Sequence, residues 1–133
     1  PLAKSGNASL KNKSHCNLHY ESIYHTSCYN RAGTIRCAIE SVLAQDYPDI
    51  EYIIVDGAST DGSTEIIRQY EGRVARIISE PDRGMYEAIN KGIRAATGDI
   101  VGLMHSDDFF FDNHVVSDIV KRFEKTNADF VIW

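Results

Sequence analysis

Cysteine is scarce and unpaired in this sequence: Cys16, Cys28 and Cys37 are an odd number, with no CxxC among them. That argues against a disulfide framework and against a thiolate zinc knuckle, and is consistent with reduced thiols in a cytosolic chain. No run approaches the roughly 18 consecutive apolar residues of a membrane span. The first residues form no apolar h-region, so a secretory signal is either absent or already removed. Basic residues are the minority, 14 Lys and Arg against 19 Asp and Glu, and the net charge of −5 argues against a nucleic-acid binder, which needs a basic face. GxGxxG, Walker A, GxSxG and HExxH motifs are all missing. There is no internal repeat and no low-complexity linker.

What is present is enough for one domain. The chain has 133 residues, 43% of them apolar, which supplies a full hydrophobic core. Residues 1–21 are polar, rich in Ser, Asn and Lys, without periodicity, and read as a tail. They carry Asn-x-Ser sequons at Asn7 and Asn12 and an H-C-x-x-H pattern at His15, Cys16 and His19. Neither counts for much: nothing else points to secretion, and zinc would need a second ligand cluster.

Residues 22–133 read as one α/β domain. A weak strand is expected over Ile23–Cys28, interrupted by His25, Thr26 and Ser27. A helix follows over about Ala32–Gln45, with Ile35, Ala38, Ile39, Val42 and Leu43 on one stripe, and Pro48 stops it. Glu51–Val55 is a β-branched strand covered on both faces. It runs into a turn-rich loop, Asp56 to Gly62, in which Asp61 or Ser63 can cap a helix bearing Ile66, Ile67 and Tyr70. Val74–Ser79 is a strand. Met85, Ala88, Ile89, Gly92, Ile93 and Ala96 define a helical face, where Gly92 implies close packing and Gly98 stands where a C-cap glycine belongs. Ile100–Met104 is a strand, Val115 to Phe123 a helix, and Phe130–Trp133 the start of a further strand, as expected of a C-terminally truncated chain. The order βαβαβαβαβ implies a mainly parallel, Rossmann-like sheet flanked by helices.

Ligands bind such sheets outside the carboxyl ends of the strands. Three acidic loops fall there: Asp56 with Asp61, Glu80 with Asp82, and Asp107 with Asp108. Adjacent carboxylates repel, by roughly 4 kcal/mol at 4 Å and an effective dielectric near 20. A divalent cation shared with a diphosphate relieves that; a solvated helix cap is the plainer alternative. Asp56 either accepts hydrogen bonds from a base or ribose, or forms an Asx-turn. Arg83 either pairs with phosphate or is solvated. His105 either joins the metal shell or is satisfied by hydrogen bonds at its strand end. Tyr20, Tyr24 and Tyr29 read as packing or rim residues.

Several ordered stretches resemble family 2 glycosyltransferases of the GT-A fold. They are Tyr29–Ile35, Ala38–Pro48, Glu51–Ser63 with its Val55-Asp56-Gly57-Ala58-Ser59-Thr60-Asp61, Ser79–Tyr86, Asn90-Lys91-Gly92, Ala96–Asp99, and Ser106-Asp107-Asp108 after a strand. The resemblance covers about Tyr29 to Trp133. It implies the nucleotide-binding half of an inverting enzyme that moves a sugar from a UDP- or dTDP-linked donor to an acceptor hydroxyl in glycan, polysaccharide or lipid-linked glycan synthesis. Beside the cytoplasmic placement read from the unpaired cysteines, it implies peripheral membrane contact where the acceptor is lipid-linked. By position, Asp56 would contact the nucleobase, and the backbone around Tyr29 and Asn30 would line the same pocket. Arg83 would lie near the base or phosphates, Asp107 would face the ribose, and Asp108 would hold Mn²⁺ or Mg²⁺. The catalytic base is expected beyond residue 133, so no residue here is assigned that role, and these residues alone are expected to bind donor but transfer sugar poorly. Two other classes share parts of the pattern: a Mg²⁺-dependent receiver-like phosphoacceptor domain, whose acidic pair should follow the first strand, and a degenerate non-catalytic binding domain.

Overall fold

A sheet of six strands, in the order β4-β3-β2-β5-β1-β6, forms the middle layer of the computed structural model. The structure describes residues 2–4, 20–126 and 128–131. The strands are β1 (Leu2–Lys4), β2 (Ser22–Cys28), β3 (Ile50–Asp56), β4 (Arg76–Ser79), β5 (Ile100–His105) and β6 (Phe130–Val131). The helices are α1 (Ile35–Leu43), α2 (Ser63–Arg68), α3 (Met85–Ala95) and α4 (Val115–Thr126). Four strands, β4, β3, β2 and β5, are mutually parallel, so all four end on one edge.

Sequence periodicity accounts for most of this. In α1 the buried residues are Ile35, Ala38, Ile39 and Val42, one stripe at helical spacing. In β3, Tyr52 through Val55 are buried in succession because both faces of the sheet are covered. One face packs Tyr24, Tyr52, Ile54 and Met104 under α1, α2 and α4, with Ile67, Val116, Val120 and Phe123 among the helix residues. The other face packs Ile23, Ile53 and Val55 under Ala88 of α3. Each fully buried Ile or Phe contributes about 1.5–3 kcal/mol.

Polar residues in β2 do not weaken it. Ser22, His25 and Thr26 are buried, and Thr26 Oγ1 shares a 2.9 Å hydrogen bond with the Tyr52 hydroxyl on the neighbouring strand. His25 lies against α3 at Gly92, where an added Cβ would stand 1.9 Å from its Cδ2. The close packing expected at Gly92 is therefore a contact between helix and sheet.

Three features differ from the sequence expectation. Leu2–Lys4, within the expected tail, forms β1, which pairs antiparallel with both β5 and β6. Three residues are too short a run to carry an alternating pattern that could be read from sequence. Tyr20 and Glu21 are also held: Tyr20 is buried, its carbonyl accepts from the Tyr47 hydroxyl, and the Glu21 carbonyl accepts from Asp99 N–H at 2.8 Å and Ile100 N–H at 3.2 Å. Gly98 is not a left-handed cap. Helix α3 ends at Ala96 in extended conformation, and Gly98 is required where the chain passes Glu21, whose carbonyl oxygen would be 2.7 Å from an added Cβ. The sequons at Asn7 and Asn12, the pattern at His15, Cys16 and His19, and Ile132 and Trp133 of the last expected strand lie outside the described residues.

Candidate functional site

The loops leaving β2, β3, β4 and β5 converge on one cavity of about 1020 Å³ at the carboxyl edge of the sheet. Small-molecule sites run to about 300–1,000 Å³, so a nucleotide with an attached sugar fits the scale. Tyr29 comes from the first loop, Gly57 and Ala58 from the second, Asp82 and Met85 from the third, and His105 through Asp108 from the fourth.

Asp56 organises these loops. It ends β3 and is fully buried. Its Oδ1 accepts the Ser59 hydroxyl at 2.5 Å, and its Oδ2 accepts the Thr64 hydroxyl at 2.7 Å and the Ser79 hydroxyl at 2.8 Å. The Ser59 N–H also points to it, at 3.3 Å. One carboxylate thus fastens the β3 loop, the first turn of α2 and the end of β4. Its oxygens are engaged by these donors, and the residues lining the cavity include its neighbours Gly57 and Ala58 but not Asp56 itself.

The β2 loop is tied to the β3 loop by two parallel relays. Ser59 Oγ, while donating to Asp56, accepts the Asn30 N–H at 2.9 Å. Ser63 Oγ donates to Asp61 Oδ1 at 2.5 Å and accepts the Arg31 N–H at 2.8 Å. Asp61 Oδ2 accepts the Ala32 N–H at 3.0 Å. These hydrogen bonds, Ser63 first, hold the Asp61 carboxyl below the usual carboxylate range. Asn30 and Ala58 both adopt positive φ, 50° and 61°, which lets the two loops cross closely. Asn30 turns its side-chain oxygen to the Thr60 N–H at 2.9 Å. Cys28 is buried next to this network; burial, then the neighbouring Asp56, pushes its thiol up, so it is held as a neutral packing group.

Of the residues singled out from sequence, Tyr29, Asp107 and Asp108 stand on the cavity wall and are exposed. His105 joins them there, exposed at the end of β5. Asn30 supports the wall from behind. Arg83 is exposed on the β4–α3 loop next to Asp82, its N–H donating to Glu87 Oε2 at 2.8 Å. Lys91 holds that loop from below, with Nζ 3.0 Å from Glu80 Oε1 and 3.1 Å from the Pro81 carbonyl. Sequence reasoning placed Asp82 in an acidic loop at a strand end but gave it no role of its own. The signal was Gly57, directly after Asp56, which leaves space that the Asp82 carboxylate fills.

The donor set suits a hard divalent cation. Asp107 and Asp108 are side by side, exposed and oxygen-bearing, and the Asp108 N–H closes the turn onto the His105 carbonyl at 3.1 Å. Among the described residues no three His, Cys, Asp or Glu side chains form an all-protein cage. Mg²⁺ and Mn²⁺ are commonly held by one or two carboxylates together with substrate phosphates, so two acids on a nucleotide-sized cavity fit such an ion.

Four parallel strands flanked by helices, with an acidic pair in the loop after β5, match the GT-A fold of glycosyltransferases. Residues 25–133 match Glycosyl transferase family 2, and the chain belongs to that family. The receiver-like alternative is set aside on the same ground, and also because the acidic pair follows β5 rather than β2. The chain is 38% identical over 105 residues to an uncharacterized glycosyltransferase of Nostoc sp., alr2836, covering 77% of this chain and 32% of that protein. It is similar to the mannosyltransferase PcManGT of Pyrobaculum calidifontis, whose structure holds GDP-Man and Mn²⁺. The TM-score is 0.74 at 28% identity, covering 81% of this chain and 33% of that one. It is also similar to glucosyl-3-phosphoglycerate synthase of Mycobacterium tuberculosis in complex with UDP, with a TM-score of 0.61 at 28% identity, covering 80% and 40% respectively. The chain thus spans about a third of the length of the first of these relatives. No helix among the described residues is long and apolar enough to cross a membrane.

Proposed function

We propose that this chain binds the nucleoside diphosphate of a sugar donor, as the donor half of an enzyme that transfers the sugar to an acceptor hydroxyl on a glycan, polysaccharide or lipid-linked glycan. One observation carries this: the exposed pair Asp107–Asp108 shares a cavity with the loops of the three other parallel strands. The GDP-Man and Mn²⁺ in the mannosyltransferase and the UDP in the synthase support a nucleoside-diphosphate ligand and a divalent ion.

In this arrangement Asp108 would hold Mn²⁺ or Mg²⁺ and Asp107 would stand toward the ribose. Tyr29 lines the base end, with Asn30 fixing its backbone. Arg83, exposed beside the cavity, approaches the base or phosphates. Asp56 holds the loops in register and does not itself touch the ligand. The ion, when bound, supplies positive charge that offsets the charge gathering on the departing diphosphate. For an inverting transfer, the acceptor oxygen bonds to the anomeric carbon on the face opposite the phosphate. The bond to phosphate breaks with its electrons on the diphosphate, and the acceptor proton passes to a base outside these 133 residues.

A thermal-shift screen of the purified 133-residue chain with UDP, dTDP and GDP, with and without Mn²⁺, tests this. Ligand at 100 times its Kd stabilises the fold by about 2.7 kcal/mol. At least one nucleotide should raise the midpoint, and chelating the metal should abolish the rise. No shift with any nucleotide in Mn²⁺ would leave the non-catalytic domain as the better description.

A further inference from the structure

We propose that Ser41 and Gln45, at the carboxyl end of α1, are positioning residues for the metal: they grip the segment that follows Asp107 and Asp108, and so set where Asp108 meets the cation. This rests on Asp108 sharing a divalent cation with a nucleoside diphosphate.

The acidic pair is not held by its own side chains. Both residues are exposed, and neither carboxylate takes part in a hydrogen bond among the described residues. They stand on residues 106–114, which join β5 to α4 without helix or strand. The place of a carboxylate on such a stretch is set by its two anchored ends. The first is the end of β5, where the Asp108 N–H closes the turn onto the His105 carbonyl at 3.1 Å. The second begins at Phe110, and α1 builds it.

Phe109 and Phe111 are 67% and 82% exposed, whereas Phe110 between them is buried, its ring edge-on to Tyr24 at 5.2 Å. The Phe110 N–H donates to Ser41 Oγ at 3.1 Å. That hydroxyl donates in turn to the Ala38 carbonyl at 2.8 Å, which turns its lone pairs toward the loop. Gln45 is buried and uses both ends of its amide. Its Nε2 donates to the Asp112 carbonyl at 2.6 Å and to the Ser41 carbonyl at 3.2 Å, and its Oε1 accepts the Val116 N–H at 3.0 Å. Val116 lies in the first turn of α4, where an N–H has no helical acceptor. One amide thus closes the loop and caps the next helix, and only one orientation of it satisfies both. The Asp46 N–H adds the Asn113 carbonyl at 2.9 Å.

A small, hard cation tolerates little displacement of its carboxylate: Mg²⁺ requires near-octahedral oxygens at about 2.1 Å. Partners that orient a ligand from outside the coordination shell change metal affinity by about 10–100-fold when removed. Loss of either grip on Phe110–Val116 spreads Asp108 over positions that miss the ion.

The test is titration of Mn²⁺ into the 133-residue chain at fixed UDP and, separately, fixed GDP, for the native sequence, Ser41→Ala, Gln45→Glu and Asp108→Ala, at a temperature where each is folded. Ser41→Ala removes one hydroxyl from a helix that alanine favours. Gln45→Glu keeps an acceptor for the Val116 N–H and loses the donor to the Asp112 carbonyl. Each should raise the Mn²⁺ concentration for half-maximal binding by at least about fivefold. Saturating Mn²⁺ should restore nucleotide affinity to within a few fold of the native value, a recovery that general loosening of the fold would not show. If Gln45→Glu does not fold, Ser41→Ala alone decides. A smaller rise in a folded variant, or a loss of affinity that saturating Mn²⁺ leaves in place, overturns the positioning role of that residue. Absence of nucleotide binding in the native chain, or binding undiminished in Asp108→Ala, overturns the metal site itself and this inference with it.

Discussion

His25 and Gly92 are packed so closely that the histidine ring occupies the space a Cβ on Gly92 would need, with Cδ2 1.9 Å and Nε2 2.3 Å from that position. The ring belongs to a central strand and is 1% exposed, so it has nowhere to move. Gly92→Ala should therefore destabilise the fold even though alanine favours a helix by about 1 kcal/mol. Overpacking of this kind costs about 1–3 kcal/mol. The urea midpoint should fall with an unchanged slope. A midpoint equal to or above that of the native chain would show that α3 can lift off the sheet at no cost.

The same histidine makes stability depend on pH. Neither ring nitrogen makes a well-formed hydrogen bond, and burial lowers its pKa from 6.5 to about 4, with the Ala88 backbone pulling the other way and His105 adding a smaller push down. Its folded pKa lies below the unfolded one, so the unfolded chain binds more protons between the two. The stability it confers is complete above pH 6.5, declines as pH falls toward 4, and amounts to about 3 kcal/mol over that window. His114 acts in the opposite sense. Its Nδ1 meets Asp46 Oδ2 at 2.6 Å, which raises its pKa, so its contribution is present below 6.5 and lost as pH rises through the raised value. That pair is exposed and weak. Urea midpoints should therefore fall between pH 7 and 4, and His25→Leu should flatten the profile. A native profile that is flat over this range would contradict the buried, neutral histidine.

These two residues also show where sequence reading succeeds and where it stops. Gly92 was legible because a glycine on an otherwise apolar helical stripe carries a cost that only packing offsets. His25 was not. Beside Thr26 and Ser27 it looked like a weakness in β2, because hydrophobic periodicity cannot register that Tyr52 supplies a partner for Thr26 from the next strand. The strands β3 and β5 and the helices α1, α3 and α4 were plain from apolar spacing. Strand β1 was not, since three residues paired through their backbone leave no pattern. At the site, strand ends pointed to Asp56, Asp107 and Asp108, which the structure places at the carboxyl edge of the sheet. Whether an acid faces the cavity or the protein depends on Ser59, Thr64 and Ser79, which converge on Asp56 only after folding. Asp82 passed as one acid among many until Gly57 was seen beneath it.

Asp56→Asn separates a framing role from ligand contact. The amide replaces an acceptor with a donor that faces hydroxyls already donating, and each hydroxyl left without an acceptor costs roughly 1–3 kcal/mol. Stability should drop clearly, and Ser59→Ala should drop it less. Below the midpoint of the weakened protein, nucleotide affinity per folded molecule should stay within a few fold of the native value. Unchanged stability with lost affinity would instead make Asp56 a direct ligand of the base.

The most direct test of the donor site is titration of UDP and GDP into the 133-residue chain, with and without Mn²⁺, for the native sequence and Asp108→Ala. Binding should require the ion in the native chain and should weaken at least tenfold in Asp108→Ala while the thermal midpoint of the unliganded protein stays the same. Equal affinity in the two proteins, or binding indifferent to Mn²⁺, would contradict a shared grip of Asp108 and diphosphate on a metal ion.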